Sequence, residues 1–355
     1  MDLSQTYSPF RSVLLREWRR MTSRRLYFGV CIVLPLFTLF FMATIFGNGQ
    51  MENIPIGIID QDNTATSRAI TRNISAVPTF KVVKHYVNEA AAREAVQKKE
   101  IYGYLSIPPR FEQNAITGKN ATLSYYYHYA LLSVGGELMA AFETSLAPVS
   151  LSPIIMEAVS LGADQQQITT FLLPVQANNH PIYNPNLDYS VYLSQPFFFV
   201  LFQVLILLTT VYTVGIEIKF RTATDWLATA KGNMITAVLG KLLPYTFIYI
   251  LIGWLGNYVM FGILHIPFQG SWWLINMITV LFVIATQALG LFIFSLFPAV
   301  SLVISVVSMV GSLGATLSGV TFPVSNMYPL VRDASYLFPV RHFTEMIQTM
   351  LYGGG

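Results

Sequence analysis

The sequence predicts an α-helical, polytopic membrane protein that carries one inserted α/β domain, and three observations lead there. Only 11% of the 355 residues are charged while 54% are apolar, against roughly a quarter charged in an ordinary soluble domain. No Asp, Glu, Lys or Arg occurs anywhere from Leu242 to Val331, and no water-exposed surface can be built from such a stretch. Residues 48–195, by contrast, return to a soluble composition over a length sufficient for a domain of their own.

Residues 1–25 come first. Phe10, Val13, Leu14, Trp18 and Met21 recur at helical spacing, with Arg11, Arg16, Arg19 and Arg20 mostly elsewhere on the wheel. This is either an amphipathic helix lying on the inner membrane surface or a basic flank that only sets topology. Together with Arg24 and Arg25, these arginines place the N-terminus in the cytoplasm by the positive-inside rule. The apolar run 26–47 exceeds a signal-peptide core and no Ala-x-Ala site follows, so it reads as an uncleaved anchor. Cys31, the single cysteine, lies inside it and excludes an intramolecular disulfide.

A bilayer core of about 30 Å takes roughly 20 apolar residues per helix, which places further crossings at 196–216, 242–263, 273–297 and 299–321. Counting from a cytoplasmic N-terminus puts 48–195, 264–272 and 322–355 outside and 217–241 inside. The inner loop carries Lys219, Arg221, Lys231 and Lys241 against Glu217 and Asp225, whereas 264–272 has no formal charge, as the same rule requires. With these bounds the crossings hold no ionised residue, which argues against a proton-coupled antiporter.

Within 48–195, Ile54 to Ile59 reads as a buried strand closed by the turn Asp60-Gln-Asp-Asn63, and Thr64 to Ser75 as a capped helix. Phe80 to Val83, Ile101 to Ile107 and Leu123 to Tyr129 read as strands and Glu89 to Lys99 as a helix. Long helices are expected over 130–172, followed by a Pro- and Asn-rich approach to the membrane at 174–196.

Sites of catalysis are missing from the sequence pattern. Gly240-Lys241 is followed by Leu242, and position 235 is Ile, so no phosphate-cradling loop is formed. No His-Glu-x-x-His, Cys-x-x-Cys or Gly-x-Ser-x-Gly pattern occurs, and His85, His128, His180, His265 and His342 are widely scattered. No metal, cofactor or nucleic acid is expected on this chain.

Glu217-Ile-Lys-Phe-Arg-Thr-Ala-Thr-Asp-Trp-Leu227 and Gly240-Lys-Leu-Leu-Pro-Tyr245 resemble the permease subunits of ATP-binding-cassette type-2 exporters. Ile56-Gly-Ile-Ile-Asp-Gln-Asp-Asn-Thr-Ala-Thr-Ser-Arg68 and Ile107-Pro-Pro-Arg-Phe111 resemble the drug-exporter-like branch of that family, which carries a large external domain after the first crossing. The resemblance spans nearly the whole chain. It implies a coupling helix around Lys219 to Leu227, pressed on a separate cytoplasmic ATPase that holds ATP and magnesium. Glu217, Lys219, Arg221, Thr222, Asp225 and Trp226 would form that surface, with Arg16 and Trp18 of the N-terminal helix beside it. Glu217 can fix the helix by bonding basic neighbours, and Trp226 can fill a groove in a soluble partner. The plain alternative is an ordinary positive-inside loop.

The resemblance further implies an inner-membrane location, a second permease copy (identical or different), a periplasmic adaptor, an outer-membrane channel, and an amphiphilic small molecule, lipid or glycan as cargo. Gly311, Ala315 and Gly319 leave one helix face without bulk, either a dimer or gate surface along the pathway or ordinary internal packing. Phe338-Pro-Val-Arg-His-Phe-Thr-Glu345, with Pro339, His342 and Glu345, and Leu351-Tyr-Gly-Gly-Gly355 resemble external re-entrant helices that precede a sixth crossing in the family. Five crossings are visible and the sixth is missing, which reads as a shortened chain in preference to a departure from the family pattern. Two rival classes remain: a membrane-anchored scaffold or receptor that binds through the external domain, and a lipid-acting enzyme built on His342 and Glu345.

Overall fold

The computed structural model describes residues 8–45, 49, 51–117, 121–146, 188 and 190–352. Two compact units emerge, Met1–Gly49 with Pro181–Gly355, and Gln50–His180.

The inserted unit is built on a sheet of four strands, β1 (Ile54–Asp60), β2 (Phe80–His85), β3 (Gly103–Ile107) and β4 (Ser124–Tyr127), in the order β2-β1-β3-β4. β1 runs parallel to β2 and β3, and β4 is antiparallel to β3. The two central strands are covered on both faces, which is why they read as nearly unbroken apolar runs; Ile56, Ile58, Ile59, Leu105 and Ile107 are all buried. After β1 the Asp60 carboxylate accepts the amides of Asp62 and Asn63, turning the chain into α3 (Ala65–Ser75). That helix opens with a reciprocal cap, the Thr64 hydroxyl accepting from the Ser67 amide and the Ser67 hydroxyl from the Thr64 amide. α4 (Glu89–Gln97) follows β2 and is capped by Asn88. α5 (Phe111–Ile116) was not expected: it begins after Pro108-Pro109 at Arg110, whose left-handed φ of 60° turns the chain into a short helix anchored by buried Phe111. Of the helical region expected over 130–172, α6 (Leu132–Leu146) is described, and most of the Pro- and Asn-rich approach also lies outside the described residues.

Among the described residues, the other unit contains five helices long and apolar enough to cross a membrane: α2 (Arg25–Ile45), α7 (Ser190–Lys219), α9 (Met234–Ile263), α10 (Trp272–Leu296) and α11 (Val300–Leu317). α1 (Pro9–Ser23) precedes them, and α8 (Ala223–Thr229), α12 (Pro329–Ser335) and α13 (Pro339–Tyr352) complete the unit. α7 is the central post, with 72% of its most apolar window buried against 28% for α2 and 22% for α11. It touches α2, α9, α10, α11 and α13.

With little hydrophobic drive between helices in lipid, close approach and side-chain hydrogen bonds hold such a bundle. A side chain at Gly253 would meet Thr279, and one at Gly256 would meet Phe198, so α9 lies tight against its neighbours at those two positions. Thr209 shares a hydrogen bond of 2.6 Å with Tyr249, Thr246 donates to Gln287 at 2.7 Å, and Asn257 donates to Thr279 at 3.0 Å. The seam at Gly311 is filled by Val204 of α7, and Gly314 takes the side chain of Gln203. Gly311 and Gly314 of α11 thus pack on α7, and Ala315 is partly buried against the same core. Gly319 is not on that face: it lies past the helix end with φ of 86°, where a residue without Cβ is favoured.

α7 and α9 are longer, at the ends joined through α8, than the sequence suggested. α7 runs to Lys219 rather than stopping at 216, and α9 starts at Met234, capped by Asn233, rather than at 242. Glu217 and Lys241 are therefore inside the long helices, just beyond the charge-free stretches 196–216 and 242–263.

Candidate functional site

α1 starts where Ser8 accepts the Arg11 amide and Pro9 supplies a preset first turn. Its buried line is Val13, Glu17 and Met21, one turn apart, so a carboxylate sits in the middle of the stripe that faces the bundle. Phe10 and Trp18, expected on the apolar face, are exposed instead. The stripe lies against α9 at Gly240, where an added Cβ would stand 3.0 Å from the Val13 side chain and 3.3 Å from the Phe10 carbonyl oxygen. Only glycine permits this separation without displacing Val13.

The close approach brings Glu17 to the residue after that glycine. Lys241 Nζ donates to Glu17 Oε2 at 2.7 Å and to Glu217 Oε1 at 2.8 Å, and all three side chains are buried. The other Glu17 oxygen accepts from the Tyr245 hydroxyl at 2.8 Å, one turn further along α9. Glu217 is the hub. Arg16 grips it with two bonds, at 3.0 and 3.2 Å, and Arg20 and the Thr222 hydroxyl also donate to it. The face of Trp226 lies 5.2 Å from Lys241 Nζ, and its indole nitrogen donates to the Ala237 carbonyl at 3.2 Å. Three cations, Arg16, Arg20 and Lys241, face two carboxylates, Glu17 and Glu217.

This clasp ties together α1, the last turn of α7, the α7–α8 turn, α8 and the second turn of α9. Buried charges are tolerated only when paired and fully hydrogen-bonded, and here each charged group bonds others from a different element. Among the described residues no group of three or more His, Cys, Asp or Glu side chains is placed to hold a metal ion.

The residues singled out from sequence divide sharply. Arg16, Glu217, Thr222 and Trp226 converge in the clasp. Trp226 is only 5% exposed and braces α8 against α9. Trp18, Lys219, Arg221 and Asp225 stay at the surface, and Arg221 takes a left-handed φ of 56° in the turn before α8. The short helix begins at Ala223, later than the expected start at Lys219, because α7 continues through that residue. At the other end of the bundle, Pro339 opens α13, His342 Nε2 is 3.0 Å from the Tyr336 carbonyl, and Glu345 turns to Arg341. The structure gives His342 and Glu345 separate partners, against their use as one reacting pair.

Sequence reasoning missed Glu17, Lys241, Tyr245 and the part played by Arg20. One signal was present: Glu17 is the lone acidic residue between Leu3 and Met51, set among arginines on a helix with an apolar stripe. Its partner lies 224 positions away, and only the fold brings them together.

A family model described as ABC-2 family transporter protein matches residues 25–355. The chain is also similar to the probable multidrug ABC transporter permease YbhS of Escherichia coli strain K12 and to the protein of the same name from strain O157:H7. Each is 29% identical over 121 residues, covering 33% of this chain and 31% of the relative. The chain thus spans about a third of the length of the curated relatives it matches. No solved structure matches it.

Proposed function

The chain belongs to the ABC-2 transporter family, and on that premise we propose that it is the membrane-spanning subunit of an ATP-driven exporter. A cytoplasmic ATPase carries ATP and magnesium, a second permease copy completes the pathway, and an amphiphilic small molecule, lipid or glycan leaves the cytoplasm or the inner leaflet. The multidrug permease named among the relatives supports a drug-like cargo. The arginines of α1 and its flank support a cytoplasmic N-terminus in an inner membrane, with the inserted domain outside, where it meets a periplasmic adaptor and an outer-membrane channel.

The clasp is the observation that carries this reading. An ATPase that changes shape must move the spans, and it biases the pathway only if its contacts differ between two arrangements of them. A node that fixes α1, α7, α8 and α9 to one another converts a push on α8 into a joint displacement of two spans. The exposed residues around it, Trp18, Ile218, Phe220, Arg221 and Asp225, form the surface on which the ATPase presses. A scaffold anchored for display has no need of a buried ion cluster across three helices.

The test is co-purification of ATPase activity with the intact protein in mild detergent, comparing wild type with the surface double variant Arg221→Ala, Asp225→Ala. Activity that accompanies wild type and falls several-fold with the variant, at unchanged permease recovery, supports the reading. An ATPase that never associates removes the motor and favours the scaffold.

A further inference from the structure

α7 begins near Tyr192 and ends at the clasp, so Tyr192 marks the opposite end of the bundle. A cavity of about 340 Å³ opens there, lined among others by Tyr192, Val320, Pro323, Arg341, Glu345 and Gln348. Its wall is pinned by the Tyr192 hydroxyl, which donates to the Val320 carbonyl.

Arg341 is the unusual member. It is 5% exposed, yet its Nε and Nη1 have no hydrogen-bond partner among the described residues. Its guanidinium carbon lies 3.8 Å from the centre of the Tyr336 ring, which fixes the plane without satisfying the donors. The nearest carboxylate, Glu345, is 3.7 Å from Nη2, and its side chain is 65% exposed. A buried guanidinium with two unmet donors is costly to leave so and calls for an acceptor in the cavity it lines. A simple anion would meet Glu345 as well as Arg341 and gain little. A ligand carrying a phosphate and, a few ångströms away, an ammonium satisfies both. The surrounding segment supplies the setting of a lipid: Phe322, Tyr328, Leu330 and Leu337 are all exposed between α11 and α13, as at a membrane interface.

We propose that this cavity holds the headgroup of a phosphoethanolamine lipid, its phosphate oxygens accepting from Arg341 and its ammonium donating to Glu345. The choline headgroup has no N–H to give Glu345, and the glycerol headgroup has no positive charge.

The intact protein in detergent is offered equal amounts of phosphatidylethanolamine, phosphatidylglycerol and phosphatidylcholine of matched acyl chains, and its retained lipids are counted by native mass spectrometry. Wild type is expected to hold one phosphatidylethanolamine in preference to either competitor by about tenfold. Arg341→Gln should lose that lipid. Glu345→Gln, at an exposed position that leaves the fold intact, should retain phospholipid but without the headgroup preference. Excess inorganic phosphate should fail to displace the lipid; displacement would make this a free-anion site and overturn the lipid assignment. Equal retention of all three lipids by wild type, or an unchanged preference in Glu345→Gln, also overturns the proposal, and the Glu345 arm decides even if Arg341→Gln does not fold.

Discussion

The two ends of the helical bundle treat buried charge in opposite ways. At the clasp, Glu17, Glu217 and Lys241 are buried and every carboxylate oxygen has a donor. At the far end Arg341 is buried to a similar degree, and two of its nitrogens have no partner among the described residues. A closed set of ion pairs fixes one geometry, because any member removed strands the others in a medium that cannot solvate them. Unmet donors fix nothing by themselves, and Arg341 lines a cavity large enough for part of a molecule from outside the chain. One end is therefore read as a mechanical joint and the other as a binding site.

The strongest test of that contrast removes the central cation. Lys241→Met leaves two carboxylates facing each other in the interior, and a loss of about 3–5 kcal/mol is expected, seen as a large drop in detergent melting temperature or in recovered monodisperse protein. Combining it with Glu17→Gln should recover part of that loss, with a coupling of about 1–3 kcal/mol in the double-mutant cycle. A strictly additive double variant would break the picture of one interdependent joint. Gly240→Val forces α1 away from α9 and should cost about 1–3 kcal/mol, while a conservative Val13→Ala in the same background should relieve part of it.

Smaller effects sharpen the comparison. Trp226→Phe loses the indole bond to Ala237 and weakens the contact with Lys241, at a cost of about 1 kcal/mol by thermal melting. Arg341→Gln should change the melting temperature of lipid-free protein far less than Lys241→Met, since no buried carboxylate is stranded by it. A loss as large as that of Lys241→Met would mean the two ends are built alike. Asp225→Ala, on the surface of α8, should leave stability within about 0.5 kcal/mol while reducing ATPase association.

The five long helices were legible because lipid imposes a length and an apolarity that composition alone reveals, and the β1 and α3 boundaries were legible because Ile-rich runs and Thr64/Ser67 capping are local signals. The ends of α7 and α9 that meet at the clasp were not. Charges at Glu217 and Lys241 look like loop residues when each is judged alone, and they become admissible within a helix only once they neutralise one another. Trp226 misled for a related reason: an aromatic in a short polar helix resembles a partner anchor until Ala237 and Lys241 are seen to occupy both its edge and its face. Phe10 and Trp18 completed an apolar stripe on paper, whereas Glu17 displaced them from the buried line because its ion pair with Lys241 holds α1 in a different rotation.

By itself the sequence determined which segments are long and apolar enough to cross a membrane, and that a separate α/β unit sits between the first two of them. Those properties follow from composition, periodicity and local capping, each contained within a few tens of residues. Tertiary structure alone decided which charges are joints and which is left open, since pairing Glu17 with Lys241, and leaving Arg341 short of acceptors, depends on helices distant in sequence arriving within hydrogen-bond range of one another.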